Sequence, residues 1–405
     1  MSSQQKSRFD AHPLLTSTAI TLFLLVLFII AFETIARFTS YNKMLEMQKH
    51  ALSIYQLDQE NGFDLKKNLP STVHVFSEMQ YEIFTNSLGC FDNKYDKQSK
   101  EPYILLVGDS FTWGYTPFAN KWGNIVEKQL NKRTLKCGVS NYGSKQQFNK
   151  ARKVVNSIGK TPELLIVAYY IRNDAHDDFI RPNATVINGY SIDTIKSIDH
   201  KTGDISRFSD NELQQKYKKK RKLVKVWLKT HSILYNLVSI STRRLKTMRK
   251  DKLNKLTNTT ELSYLYQKLN EDHWWRKHWQ QHLTTLVSFK KLTDQWGSKL
   301  LVVIIPEKFQ VYPYLTKTHG ENFDLTKPNR EIIYALKTAN IDYLDLLPHF
   351  QKVADKTQKT RLNPTTDYYW NEDQHWNIQG NKFAGKVISQ YLKNYNLPIK
   401  SDKNN

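Results

Sequence analysis

Cysteine is nearly absent from this chain: 2 in 405 residues, Cys90 and Cys137. That scarcity excludes a disulfide-stapled scaffold and a cysteine-rich zinc or iron–sulfur fold. It leaves open whether the two pair with each other. The 12 histidines show no paired ligand spacing, so no metal site and no cofactor are expected. Acidic residues are also in deficit, 38 against 60 Lys and Arg, for a formal net charge of +22. A surplus of that size suits nucleic acid, anionic lipid or acidic polysaccharide. No base-reading motif accompanies it, which argues against nucleic acid. Disorder is excluded by a hydrophobic content of 40% and an aromatic content of 12%. The length allows one large domain or two to three ordinary ones.

Long apolar runs are scarce as well, with one exception. Leu14 to Phe32 holds 19 residues without a charge. At 1.5 Å per residue a helix there spans about 28 Å, close to the hydrocarbon thickness of a bilayer. A cleaved signal peptide has a shorter apolar region and a small-residue cleavage site. Glu33-Thr34-Ile35-Ala36-Arg37 is a poor one, so an uncleaved signal anchor is expected. Lys6 and Arg8 precede the run and Arg37, Lys43 and Lys49 follow it, so local charge does not set the orientation. Long domains cross membranes largely regardless of charge. A single-pass protein with its large C-terminal part on the extracytoplasmic side follows as the expectation, with membrane lipid as one partner.

The remaining chain reads as a tail at 1–13, the anchor at 14–32, a stalk helix and short strands over 33–100, a main domain over 101–396, and a disordered tail at 397–405. Three apolar runs, at 103–107, 164–168 and 300–305, suit fully buried parallel strands. Helical segments at about 120–132, 145–158 and 274–296 separate them. Strands alternating with helices predict an α/β fold with right-handed crossovers and a parallel sheet covered on both faces. Residues 190–297 interrupt the alternation and read as a mainly helical insertion. From Lys216 to Lys252 there are 14 Lys and Arg and one Asp. This is either a solvated helical face or a basic amphipathic surface against an anionic leaflet. The aromatic stretch from His273 to Trp279 reads as packing rather than metal ligation.

Three short segments sit at strand ends or in loops. Gly108-Asp109-Ser110 follows the first apolar run, where open α/β sheets form their ligand crevice. Gly108 is expected to allow a sharp turn. Asn173-Asp174 follows the second run, where an amide can donate into that crevice. Asp373 and His375, two apart in a loop before a helix at about 381–394, can pair so that the carboxylate fixes the imidazole tautomer while the other ring nitrogen faces a nucleophile. Singly, each is also readable as an ordinary turn.

Together, and in this order, Gly108-Asp109-Ser110, Asn173-Asp174 and Asp373-x-His375-Trp376-Asn377 resemble the signature blocks of the SGNH (GDSL-type) hydrolase superfamily, over about 101–185 and 298–396. The flank Ile305-Pro306-Glu307-Lys308-Phe309-Gln310-Val311-Tyr312-Pro313 and the segment His231-Ser232-x-Leu234-Tyr235 are similar to a membrane-anchored bacterial branch of the alginate O-acetylation type. The resemblance implies a flavodoxin-like three-layer fold with a helical insertion and an N-terminal transmembrane helix. It implies Ser110 as nucleophile, His375 as base and Asp373 as its orienting acid, with Glu372 second to Asp373 and Asp109 structural. The oxyanion hole would combine the Ser110 N–H, the Asn173 amide and a backbone N–H from a second block. In that block the family has Gly, whereas this chain has Asn141, with Gly143 two residues later. Asn tolerates left-handed backbone, so either residue can supply the donor. The implied activity is removal or transfer of O-acyl groups on an envelope polysaccharide or glycolipid. A multi-spanning membrane acyl donor would be the partner for transfer. A non-catalytic binding protein on the same fold is the alternative.

Overall fold

The apolar runs at 103–107, 164–168 and 300–305 become the centre of a parallel sheet in a computed structural model of the chain. It describes residues 12–39, 54–76, 79–180, 184–187, 190–199, 201–218, 220–239, 263–269, 273–315, 323–359, 361–371 and 373–395, with 41, 42, 45, 241 and 242. The readings of the two tails and of Glu372 fall outside the described residues, save for positions 12 and 13. The chain divides into two units, 1–49 with 218–256, and 50–217 with 257–405.

The larger unit is built on five strands: β1 (Ile104–Gly108), β2 (Thr134–Lys136), β3 (Leu164–Tyr170), β4 (Lys299–Ile305) and β5 (Asp342–Asp345). They lie in the order β2-β1-β3-β4-β5, all parallel. This is the flavodoxin-like order. Alternate residues serve opposite faces. Leu105, Val107, Leu165, Val167, Leu300 and Val302 join one core with the helices Ser144–Ile158, Trp274–Trp296 and Lys327–Thr338. Ile104, Leu106, Ile166, Ala168, Leu301 and Val303 join the other with Trp122–Leu130, Leu347–Val353 and Ile378–Lys393. Burial on both faces is why these strands read as unbroken apolar runs. β2 and β5, three and four residues long at the two edges, carry no such run.

The insertion differs from expectation. Residues 185–207 form two short antiparallel hairpins, Thr185–Ile187 with Tyr190–Ile192 and Ile195–Ile198 with Ile205–Arg207. The helix expected at 274–296 between strands is present as Trp274–Trp296, the crossover from β3 to β4, and not part of the insertion; it buries Trp275, Leu286 and Phe289 against the sheet. His273 caps its start by accepting from the Trp275 N–H at 3.2 Å. Upstream of β1, Tyr55–Asp58 pairs with Gly62–Leu65 and Thr72–Phe76 with Met79–Ile83, both antiparallel. A disulfide joins Cys90, just after these hairpins, to Cys137 at the end of β2.

The smaller unit contains the helix Pro13–Arg37, exposed along its apolar length, the helix Lys220–His231, and a further helical turn series over 233–239. Ala36, Leu45 and Ile233 pack together, with Phe32 and Leu237 beside them.

Candidate active site

Register decides what meets at the carboxyl edge of the sheet. Gly108 pairs with Ala168 and Ile305 with Tyr170, so β1, β3 and β4 end side by side. The residues just beyond them, Asp109-Ser110, Arg172-Asn173 and Glu307-Lys308, therefore share one rim. Parallel strands bring such loops together whatever their distance in sequence.

Ser110 opens the short helix Ser110–Trp113 and is buried. The reason for glycine before it differs from expectation. A Cβ at Gly108 would lie 2.2 Å from Thr112 Oγ1 and 2.9 Å from Ala168 Cβ, so space rather than a special backbone angle demands it. Asp109 caps the turn by accepting from the Phe111 N–H at 2.9 Å.

Ser110 Oγ lies 2.7 Å from His375 Nε2. His375 Nδ1 in turn hydrogen-bonds Asp373 Oδ1, and the His375 backbone N–H donates to the same oxygen at 2.8 Å. With the Nδ1 proton directed at Asp373, Nε2 is left to accept from the serine hydroxyl. Burial alone would raise the Asp373 carboxyl. Its bonds to His375 outweigh that, and with the Lys308 charge they hold it below the usual range. The imidazole is packed by Phe111 and Tyr115, with ring centroids 5.0 and 4.5 Å away.

The second-block residue Asn141 sits at φ +70°, the left-handed region that asparagine tolerates. Tyr115 Oη meets the neighbouring Ser140 Oγ at 2.7 Å. Gly143 has ordinary φ, but a Cβ there would come within 2.6 Å of the Asp178 backbone nitrogen. Asn173 lies on the same rim, and its amide nitrogen donates to Asp177 Oδ2 at 2.8 Å. One of its two N–H groups is thus committed to the helix Asp174–Ile180. Beneath, Asp174 accepts from the Gln147 amide at 3.0 Å and the Tyr170 N–H at 3.2 Å. Burial, then the Asp109 charge, pushes Asp174 well above the carboxylate range. Burial pushes Asp109 itself up to about 6.

Sequence reasoning gave Lys308 no role. Its buried ammonium donates to the carbonyls of Trp370 and Asn371 at 2.8 Å and of Asp373 at 3.1 Å. Tyr369 Oη donates to the Pro306 carbonyl at 2.7 Å. Beside them Glu307 takes up Arg172 and Tyr266. The end of β4 thus grips the loop that carries Asp373 and His375. The charged pair Glu307-Lys308 after an apolar strand and a proline was the available signal. Asn377, one residue past Trp376, closes the loop by accepting from the Gly380 N–H at 3.0 Å and so caps the last helix.

Residues 264–404 match the family described as SGNH hydrolase-like domain, acetyltransferase AlgX. That stretch contains Lys308, Asp373 and His375, while Ser110 lies outside it. No curated protein matches the chain. Among solved structures, the acetyl xylan esterase AlAXEase is similar at 11% identity, covering 72% of this chain and 99% of its own, with a TM-score of 0.36. A GDSL-like lipase from Bacteroides thetaiotaomicron is similar at 11% identity, covering 74% and 92%, with a TM-score of 0.35. The lipase/acylhydrolase from Enterococcus faecalis is similar at 9% identity, covering 72% and 96%, with a TM-score of 0.34.

Proposed function

We propose that this chain, which carries an SGNH hydrolase-like domain of the AlgX acetyltransferase type, is a membrane-anchored serine enzyme that removes or transfers O-acyl groups on an envelope polysaccharide or glycolipid. The observation that carries the reading is the unbroken line from Ser110 Oγ through the His375 ring to Asp373.

A serine hydroxyl is a weak nucleophile until a base takes its proton. His375 Nε2 accepts that proton as Ser110 Oγ attacks the ester carbonyl, and Asp373 stabilises the imidazolium. The tetrahedral oxyanion is held by the Ser110 N–H, the Asn141 N–H and the second Asn173 N–H. Each donor is worth about 3–4 kcal/mol of barrier in such sites. Collapse returns the proton from His375 to the leaving group of the acyl donor, which is the sugar oxygen in an esterase cycle and the partner's carrier atom in a transferase cycle, and leaves an acyl-serine. Water as the second acceptor completes an esterase cycle; a sugar hydroxyl completes a transferase cycle. The acyl donor for transfer would be a multi-spanning membrane partner.

The anchor reading is supported by the helix Pro13–Arg37, long and apolar enough to cross a membrane. The Cys90–Cys137 disulfide supports an oxidising, extracytoplasmic location for the larger unit. Mass spectrometry of surface glycans from a Ser110→Ala strain tests the proposal. A gain in acyl groups identifies an esterase and a loss identifies a transferase. An unchanged glycan, with full-length protein present, overturns both.

A further inference from the structure

The smaller unit contains a contact that spans about 200 positions of sequence. The helix Lys220–His231 stops and a new one starts at 233, with Ser232 between them accepting from the Tyr235 N–H at 3.0 Å. Both helix ends at this break are capped by one face of the apolar helix Pro13–Arg37. Glu33 accepts from the Ile233 and Leu234 N–H groups at 3.0 Å each, and from the Ser232 hydroxyl. Arg37, one turn further, donates to the His231 carbonyl at 2.9 Å. Acid at a helix N-terminus and base at a helix C-terminus are the favourable arrangement for both dipoles. The Asn236 amide closes the break by donating to the Lys229 and Ser232 carbonyls.

The location of these caps matters. The uncharged run ends at Phe32, and Glu33 is the next residue. If the run fills the hydrocarbon, Glu33 and Arg37 stand at its boundary, and the helices they cap are held at that depth. What those helices expose fits the boundary. Val224, Trp227 and His231 recur at helical spacing on one face. Trp227 is 57% exposed and its ring stacks on His231. Val224, Val238 and Phe38 are exposed as well. Lys220–His231 holds five Lys and Arg and no acid. Exposed Trp among lysines is the composition of an interfacial helix on anionic lipid.

We propose that the break at 231–233 is a latch by which the anchor lays the basic helix Lys220–His231 into the interface of an anionic bilayer, with Trp227 at the level of the headgroups. The proposal rests on the anchor reading above and is independent of the chemistry at Ser110.

The test uses the full chain reconstituted into vesicles of phosphatidylcholine alone or mixed equally with phosphatidylglycerol. A bimane label is placed through Val224→Cys or Trp227→Cys. Quenching by a shallow doxyl-labelled lipid is compared with quenching by aqueous iodide. Doxyl quenching is expected to exceed iodide quenching at both positions, and to rise at least twofold with phosphatidylglycerol. Glu33→Ala, which removes both cap acceptors, should lower doxyl quenching at position 227 by at least twofold. Labels open to iodide and untouched by doxyl lipid, in a chain that resists carbonate extraction, overturn the latch and leave the anchor standing. Release by carbonate overturns the anchor, and the latch with it. Labels that miss the lipid but are shielded from iodide by a soluble polyuronate assign the basic face to acidic glycan and overturn the lipid assignment.

Discussion

Lysine does opposite work in the two units. In the sheet unit several ammonium groups are buried and fully engaged. Lys308 holds three loop carbonyls. Lys150 meets both Asp64 oxygens at 2.8 Å and the carbonyls of Leu88 and Gly89. Lys136 meets Asp92 at 3.0 Å. In the helical unit, Lys225 is exposed beside exposed Val224 and Trp227. A buried, hydrogen-bonded ammonium acts as an internal crosslink that salt scarcely screens, whereas exposed charges fade beyond a Debye length of about 8 Å at physiological salt. The +22 surplus is therefore not one property. Part of it builds the site, and part faces outward, where a partner can meet it.

Variants can break that contrast. The largest effect is expected at the nucleophile: Ser110→Ala should lower aryl acetate hydrolysis by at least about 10³-fold, and near-normal activity would remove Ser110 from the mechanism. Asn173→Ala should cost about 10²–10³ in kcat. An unchanged rate would mean that its bond to Asp177 is its whole role. Lys308→Met leaves three carbonyls without a donor and should lower kcat by about 10–100-fold through misplacement of His375, with KM moved less than about twofold. Faster amide exchange over 370–376 would accompany it. Lys225→Met, by contrast, should leave aryl acetate turnover unchanged, and a loss comparable to that of Lys308→Met would erase the distinction between the units.

The smallest effect concerns Asp109. Burial raises its folded pKa to about 6 from an ordinary value of 3.8. The proton is thus bound more tightly in the folded state, and the associated stability is present at low pH and lost as pH rises through about 6. Asp109→Asn stays neutral throughout. The difference in melting temperature, variant minus wild type, should therefore increase between pH 4 and pH 7. A flat difference would show that Asp109 ionises freely in the folded protein.

The resemblance written in Ser110, Asn173, Asp373 and His375 needed only local sequence, because each block sits directly beyond a buried strand or before a helix. Lys308 also lies just beyond a buried strand, but its role is not legible there, since its partners are backbone carbonyls over sixty positions away. The acceptor of Asn173 was hidden for a related reason: Asp177 faces it only once the Asp174–Ile180 helix has formed. The end of the insertion is not legible locally, because Trp274–Trp296 reads as a helix in either role, and only packing in the sheet core makes it a crossover.

Sequence by itself determined the parallel α/β core, since strands buried on both faces must be apolar throughout. It also determined the apolar helix near the N-terminus, since 19 residues without a charge leave that segment no polar face. Tertiary structure decided the rest. It joined Cys90 to Cys137, chose Asn141 for the left-handed position, clamped the His375 loop with Lys308, and set Glu33 and Arg37 on the helix ends at 231–233. Each of these depends on which distant groups folding brings within hydrogen-bonding or covalent reach, a few ångströms that no local pattern of residues encodes.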